Sequence, residues 1–224
     1  AIFAPGTVEE CFQLARRAFE LSERYQCPIF ILTDQFLADS YRAVLPLDIE
    51  NLAPVHLRDK HIGTSEYRRF ELTETGVSPR LFPGITEHLV VADSDEHTQD
   101  GHITEDLAVR RLMVEKRLKK GKGIWVEVVP PEFKGPKNPD LLMICWGSSK
   151  GAVCQAASRM GSNGEKVSTL HFSQVWPLVP EQFMVHMQDA GRVVSIEGNA
   201  TGQLARLIRR ETGFEIREQV LRYD

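Results

Sequence analysis

The stretch Arg192-Val193-Val194-Ser195-Ile196-Glu197-Gly198-Asn199-Ala200-Thr201-Gly202-Gln203-Leu204-Ala205-Arg206-Leu207-Ile208-Arg209-Arg210 decides the fold. A short β-branched run meets a turn with two glycines. A helical pattern starts at once, with Leu204, Leu207 and Ile208 on one face. Strand, glycine turn and helix form the repeating unit of an open parallel α/β sheet. Such a turn aims backbone N–H groups at the space beyond the C-terminal end of the strand. Gly198, Asn199, Thr201 and Gly202 are therefore candidate anion- or cofactor-binding residues. The competing reading is a tight turn capped by Asn199 or Thr201, with glycine supplying the unusual dihedrals. The turn is not G-x-G-x-x-G, and too little chain follows it to supply a ribose-binding acid. A capped turn is the preferred reading.

Working outward, strands are expected at 141–146, 166–172 and 192–196, with a last one near 215–221. Helices are expected at 150–160, 180–187 and 202–212. Helices must then cover both faces of a parallel sheet. Four prolines between 130 and 139 mark a linker before it. At the other end, 7–26 is the clearest helix, with Val8, Cys11, Phe12, Ala15, Ala18, Phe19 and Ser22 at helical spacing. Thr7 and Glu10 form a capping-box pattern. Pro28 leads into a strand at 29–33. Between 41 and 103 the chain reads as irregular, punctuated by prolines 46, 54, 79 and 83 and glycines 63, 76 and 84. Short strands are expected at 67–73 and 88–92. A helix is expected over 105–120, capped by Thr104 and stopped by Gly121, followed by a strand at 124–129.

The wording of several stretches goes further. Ala4-Pro5-Gly6-Thr7-Val8-Glu9-Glu10 opens the chain, followed by Pro28-Ile29-Phe30-Ile31-Leu32-Thr33-Asp34-Gln35 and Leu37-Ala38-Asp39-Ser40. Glu71-Leu72-Thr73-Glu74-Thr75-Gly76-Val77-Ser78-Pro79-Arg80, Gly101-His102-Ile103-Thr104-Glu105-Asp106 and Val114-Glu115-Lys116-Arg117 come next. With Glu197-Gly198-Asn199 and Gly202-Gln203-Leu204-Ala205, this ordered set resembles the α subunit of 2-oxoacid:ferredoxin oxidoreductases, 2-oxoglutarate type, along nearly the whole chain. The resemblance covers the C-terminal portion only. The Tyr-Pro-Ile-Thr-Pro-type motif and the thiamine-activating glutamate of that family have no counterpart here. The chain begins at Ala1 inside an apolar run, which predicts a piece of a longer polypeptide.

The resemblance implies an α/β fold in three parts. Residues 1–40 would be the C-terminal end, a remnant, of a pyrimidine-binding domain. Residues 41–135 would be an irregular extended linker with one helix and short strands. Residues 136–224 would be a small transketolase-C-terminal-like parallel α/β domain. The parent complex would oxidatively decarboxylate a 2-oxoacid to an acyl-CoA and pass electrons to ferredoxin. Thiamine diphosphate and Mg²⁺ would sit between α and β subunits, and the β subunit would carry the iron–sulfur cluster. This segment would be structural, inactive alone and without a bound cofactor of its own. The alternatives are a noncatalytic protein-interaction module on the same fold and an independent nucleotide-binding domain.

Composition sets the outer bounds. The 224 residues suffice for one or two domains with a real core. A net charge of −4 gives no reason to expect nucleic acid or an anionic membrane. No apolar run reaches membrane-spanning length and no signal peptide is read; the cysteine usage predicts a reduced, cytoplasmic chain. Cys11, Cys27, Cys145 and Cys154 include no C-x-x-C pair and read as reduced, buried thiols without a cluster.

Other candidate chemistry is weighed against plainer readings. Asp93, Asp95, Glu96, His97, Asp100, His102, Glu105 and Asp106 could ligate a divalent ion, but the histidines are five apart in a loop. A polar loop leading into a capped helix, with no metal, is preferred. The basic run Arg110, Arg111, Lys116, Arg117, Lys119, Lys120 and Lys122 reads as a solvated helix face. Arg80, after Pro79, is a candidate substrate contact, because arginine can hold a carboxylate or phosphate bidentately. No catalytic residue is assigned: the spacings support no Ser/His/Asp or Cys/His arrangement. Finally, residues 1–40 would leave Phe12, Phe19, Ile29 and Ile31 in need of cover from another chain or from the rest of the parent subunit.

Overall fold

The computed structural model describes residues 1–53, 55, 66–84 and 87–223. Pro54 and Gly63, two of the expected punctuating residues, lie outside them. In chain order the elements are β1 (Ile2–Phe3), α1 (Val8–Tyr25), β2 (Phe30–Ile31), α2 (Gln35–Ala38), α3 (Leu107–Val126), β3 (Glu132–Lys134), β4 (Leu141–Trp146), α4 (Ser149–Ser162), β5 (Val167–Phe172), β6 (Gln174–Trp176), α5 (Met184–Gln188), β7 (Arg192–Glu197), α6 (Gln203–Thr212) and β8 (Glu218–Leu221). Two compact units divide the chain. The first holds Ala1–Phe19, Pro28–Asp48 and Val128–Asp224, and the second Glu20–Cys27 and Ile49–Glu127.

The first unit is an α/β structure around a five-stranded sheet of order β3-β5-β4-β7-β8. Its strands run parallel except β3, which pairs antiparallel with β5. Parallel strands must be covered on both faces, and β4 shows it residue by residue. Leu142 and Ile144 enter a core with Leu170, Phe172, Phe183, Leu204 and Ile208. Met143 and Cys145 enter a second one with Val153 and Val167. Burial drives the Cys145 thiol up to about 12, so it packs as a small apolar side chain. A smaller sheet, β2-β1-β6, sets β1 parallel to β2 and antiparallel to β6.

The sequence reading of this unit is corrected at three points. The 130–139 linker contains β3, whose Glu132, Phe133 and Lys134 pair with His171, Leu170 and Thr169. The short strand β6 had no periodic signal. The expected 180–187 helix is a 3₁₀ turn, Pro180–Gln182, followed by the short α5.

In α1 the buried residues are Leu14, Ala18, Leu21 and Tyr25, a stripe rotated from the one expected. Thr7 accepts from the Glu10 N–H at 3.2 Å. The Glu10 carboxylate accepts from the N–H of Gly6 at 2.6 Å rather than closing a capping box on Thr7.

The second unit contains α3, the end of α1 and no β-strand among its described residues. The strands expected at 67–73 and 88–92 are absent, and a single antiparallel bridge joins His97 to Ile103. Helix α3 is capped by Asp106, whose Oδ1 accepts from Ala108 N at 2.7 Å and Val109 N at 3.2 Å. It passes through Gly121 and Gly123 to Val126, overwriting the expected stop and the expected strand at 124–129. Gly123 has a packing reason: a Cβ there would lie 2.5 Å from Cε1 of Tyr25.

Candidate functional site

Two features of the first unit meet at the C-terminal ends of its parallel strands. The order β5-β4-β7-β8 reverses direction at β4, because the chain leaves β4 for β5 on one side and reaches β7 on the other. Open α/β sheets bind ligands in the crevice at that switch point. A cavity of about 240 Å³ lies there, lined by Pro5, Leu32, Thr33, Asp34, Trp146, Gly147, Ser148, Ser149 and Gly198. Ser148 donates a short hydrogen bond to Asp34. The lining contains one carboxylate and no lysine or arginine. A diphosphate needs cations or a metal held by several oxygens, so this cavity does not fit thiamine diphosphate, and no reaction step is derived through it.

The second feature is a buried ionic cluster drawn from four segments. The β3–β5 register sets Glu132 opposite His171. Lys150, in the first turn of α4, forms ion pairs with Glu10 and, at 2.6 Å, with Glu132. Burial opposes the charge on Lys150, yet the two carboxylates hold its pKa above the ordinary lysine range. Burial likewise opposes ionisation of Glu132, but hydrogen bonds from Lys134 and Lys150 bring it down to about 2. His171 is driven down to about 4 by burial and by the Lys150 charge, so it is neutral. Its Nε2 faces the Gly147 carbonyl at 3.3 Å, and its buried Nδ1 has no hydrogen-bond partner among the described residues. Ligand atoms of Glu10, Glu132 and His171 lie within 4.8 Å of one another. The Lys150 ammonium already holds the two carboxylates, so the cluster is a satisfied ion network in which a lysine takes the cation's place. No local spacing announced it, since its members are scattered from position 10 to position 171.

The turn that decided the fold is a capped turn. Glu197, at the end of β7, is 1% exposed. It accepts from Leu204 N at 2.9 Å, Ala205 N at 3.0 Å, Trp146 Nε1 at 3.1 Å, Asn199 Nδ2 at 2.8 Å and Ser195 Oγ at 2.8 Å. Burial raises its pKa, but these donors together hold the carboxyl below the ordinary range. Asn199 Oδ1 takes the N–H groups of Thr201 and Gln203. Gly202 stands at φ +61°, where a Cβ would strike the Gln219 side chain. The donors of Leu204 and Ala205 at the start of α6 are thus filled by the chain's own carboxylate.

In the second unit, Arg80 pairs with Glu23 and lies over the Phe82 ring. The acidic and histidine loop is a set of local contacts. His97 stacks on Phe70 at 3.7 Å, His102 meets Asp100 at 3.0 Å, and Glu96 takes Arg117 at 3.1 and 2.8 Å. Among the described residues, three metal-ligand atoms converge only at the Glu10, Glu132 and His171 cluster. The basic run departs from a solvated face: Lys116 is 5% exposed and Lys120 half-buried. No helix among the described residues is long and apolar enough to cross a membrane.

A family model described as pyruvate flavodoxin/ferredoxin oxidoreductase, thiamine diP-bdg, matches residues 1–116. The whole chain is 29% identical to the 2-oxoacid:ferredoxin oxidoreductase 1, subunit alpha, of Sulfurisphaera tokodaii, covering 36% of that protein. It is 28% identical, over 93% of its length, to 32% of the 2-oxoglutarate oxidoreductase subunit KorA of Mycobacterium tuberculosis. Among solved structures, 99% of the chain superposes with a TM-score of 0.89, at 27% identity, on 38% of a chain of the 2-oxoglutarate:ferredoxin oxidoreductase from Magnetococcus marinus. That structure has 2-oxoglutarate, coenzyme A and succinyl-CoA bound. The chain spans about a third of the length of these curated relatives.

Proposed function

The chain belongs to the pyruvate flavodoxin/ferredoxin oxidoreductase family, and from that premise we propose that it is part of the α subunit of a thiamine diphosphate-dependent 2-oxoacid:ferredoxin oxidoreductase, with 2-oxoglutarate as substrate. The observation that carries the reading is the superposition of nearly the whole chain on a 2-oxoglutarate:ferredoxin oxidoreductase. The parent complex converts a 2-oxoacid and CoA to acyl-CoA and passes electrons to ferredoxin. Its β subunit carries the iron–sulfur cluster, and thiamine diphosphate with Mg²⁺ lies between the subunits. The cofactor supplies the decarboxylation chemistry.

Within that complex this segment positions and assembles. Residues 1–40 close a pyrimidine-binding domain, 41–135 extend from it, and 136–224 form an assembly domain. Exposed apolar side chains support the reading for residues 1–40. Phe19 is 70%, Phe30 59% and Phe36 74% exposed, large apolar side chains of the kind a partner's surface would cover. Phe12 and Ile29 are half-buried, while Ile31 is exposed. The cationless cavity supports a segment that holds no cofactor by itself. The test is CoA-dependent reduction of ferredoxin by the assembled α and β subunits with 2-oxoglutarate. Turnover by the assembly, and none by this chain alone, is expected. No turnover with 2-oxoglutarate or with any other 2-oxoacid would reject the reading.

A further inference from the structure

The charges of the second unit do not balance where they are buried. Three carboxylates of this unit are already taken by arginines. Glu23 pairs with Arg80, Glu96 with Arg117, and Glu127 with Arg24. Arg69, Lys116 and Lys120 have no carboxylate among their described contacts. Their charges act on one another: Arg69 and Lys120 depress Lys116, and Arg69 depresses Lys120.

Neutral oxygens of one residue hold two of the three. Gln26 sits at φ +48°, an uncommon conformation for a residue with a side chain. Its Oε1 accepts from Arg69 Nη1 at 2.8 Å and its backbone carbonyl from Lys120 Nζ at 3.1 Å. Its own Nε2 donates to the Ser78 carbonyl at 2.6 Å. Lys116 is 5% exposed and makes no hydrogen bond or ion pair among the described residues. Burial, with Lys120, Arg69 and Arg117 nearby, brings it down to about 8. The loop carrying Gly76 is pressed onto this turn of α3: a Cβ on Gly76 would lie 2.3 Å from the Lys116 carbonyl.

A buried cation with no counter-charge is costly. Lys116 is such a cation, and half-buried Arg69 and Lys120, both held by Gln26, add their charges to its surroundings, which makes half of a binding site. We propose that Arg69, Lys116 and Lys120 bind a small carboxylate- or phosphate-bearing anion. Arg69 would offer the planar fork suited to either group, and the lysines point charges. Arg69, Lys116, Lys120 and Gln26 all belong to the second unit, and the proposal does not depend on the oxidoreductase reading.

Calorimetry on the full chain tests it, with inorganic phosphate and malonate as separate probes and sodium chloride at matched ionic strength as reference. Saturable one-to-one binding of at least one probe is expected, and the tighter probe identifies the anionic group. Lys116→Met should weaken that binding at least tenfold, whereas Arg192→Ala should leave it unchanged. If Lys116→Met does not fold, Lys120→Met carries the same expectation. Binding of neither probe beyond the chloride response, or affinity unchanged in both lysine variants, overturns the proposal.

Discussion

The five-stranded sheet and the second unit treat buried charge in opposite ways. Around the sheet every deeply buried charge is matched. Glu197 collects five donors and Lys150 holds two carboxylates. In the second unit Lys116 is buried with no partner among the described residues. The sheet's charges tie separate segments together, so they serve folding. The unmatched lysine serves nothing in the chain's own stability, which is why it points to a ligand.

The contrast can be broken by mutation. Glu197→Ala strands several buried donors at once and should cost on the order of 4 kcal/mol in chemical denaturation. A loss below about 1 kcal/mol would show that the donors find other acceptors. Lys150→Met leaves Glu10 and Glu132 facing each other and should cost about 3 kcal/mol, with most of it recovered when both are also changed to Gln.

Acid should act on the same network. His171 has its pKa depressed from about 6.5 to about 4, so the folded state resists its protonation. That contribution is complete above pH 6.5 and is lost as pH falls toward 4. Glu132, lowered from 4.5 to about 2, adds a further loss between those values. Stability followed from pH 7 to pH 3 should therefore fall in the wild type and less steeply in a His171→Phe variant. Parallel curves would remove His171 from the account of acid lability.

Smaller effects have the opposite sign or none. Lys116→Met should stabilise the chain by about 1 kcal/mol at pH 7 in the absence of added anion. The same type of substitution thus gives opposite signs at Lys150 and Lys116, and a destabilised Lys116→Met would erase the contrast. The Arg192–Glu218 pair is solvent-exposed, so Arg192→Ala should leave the thermal midpoint unmoved.

How legible each region was follows from the same difference. The apolar runs of β4, β5 and β7 and the glycine turn before α6 carry their fate locally, and their boundaries in the sequence reading lie within a residue of those observed. The second unit carries no such signal. Gly121 reads as a helix stop, yet the helix continues through it and through Gly123, whose missing Cβ admits the Tyr25 ring. Ile124 and Val126 read as β-branched strand residues but end a helix. The ionic cluster was invisible because Glu10, Glu132, Lys150 and His171 meet only through strand register and helix placement. Gly198, Asn199, Thr201 and Gly202 read as a turn from the sequence, but its organiser, Glu197, figures there only in the Glu197-Gly198-Asn199 motif and has no capping role assigned.

Hydrogen exchange, measured on this chain alone and within the assembled α and β subunits, tests most directly whether it is a segment of a larger subunit. Amides around Phe19, Phe30 and Phe36 should gain protection at least tenfold on assembly, while those of β4 and β5 stay as protected as they were. Equal protection around Phe19, Phe30 and Phe36 in both states would contradict the assignment, because the exposed apolar surface would then have no partner in the complex.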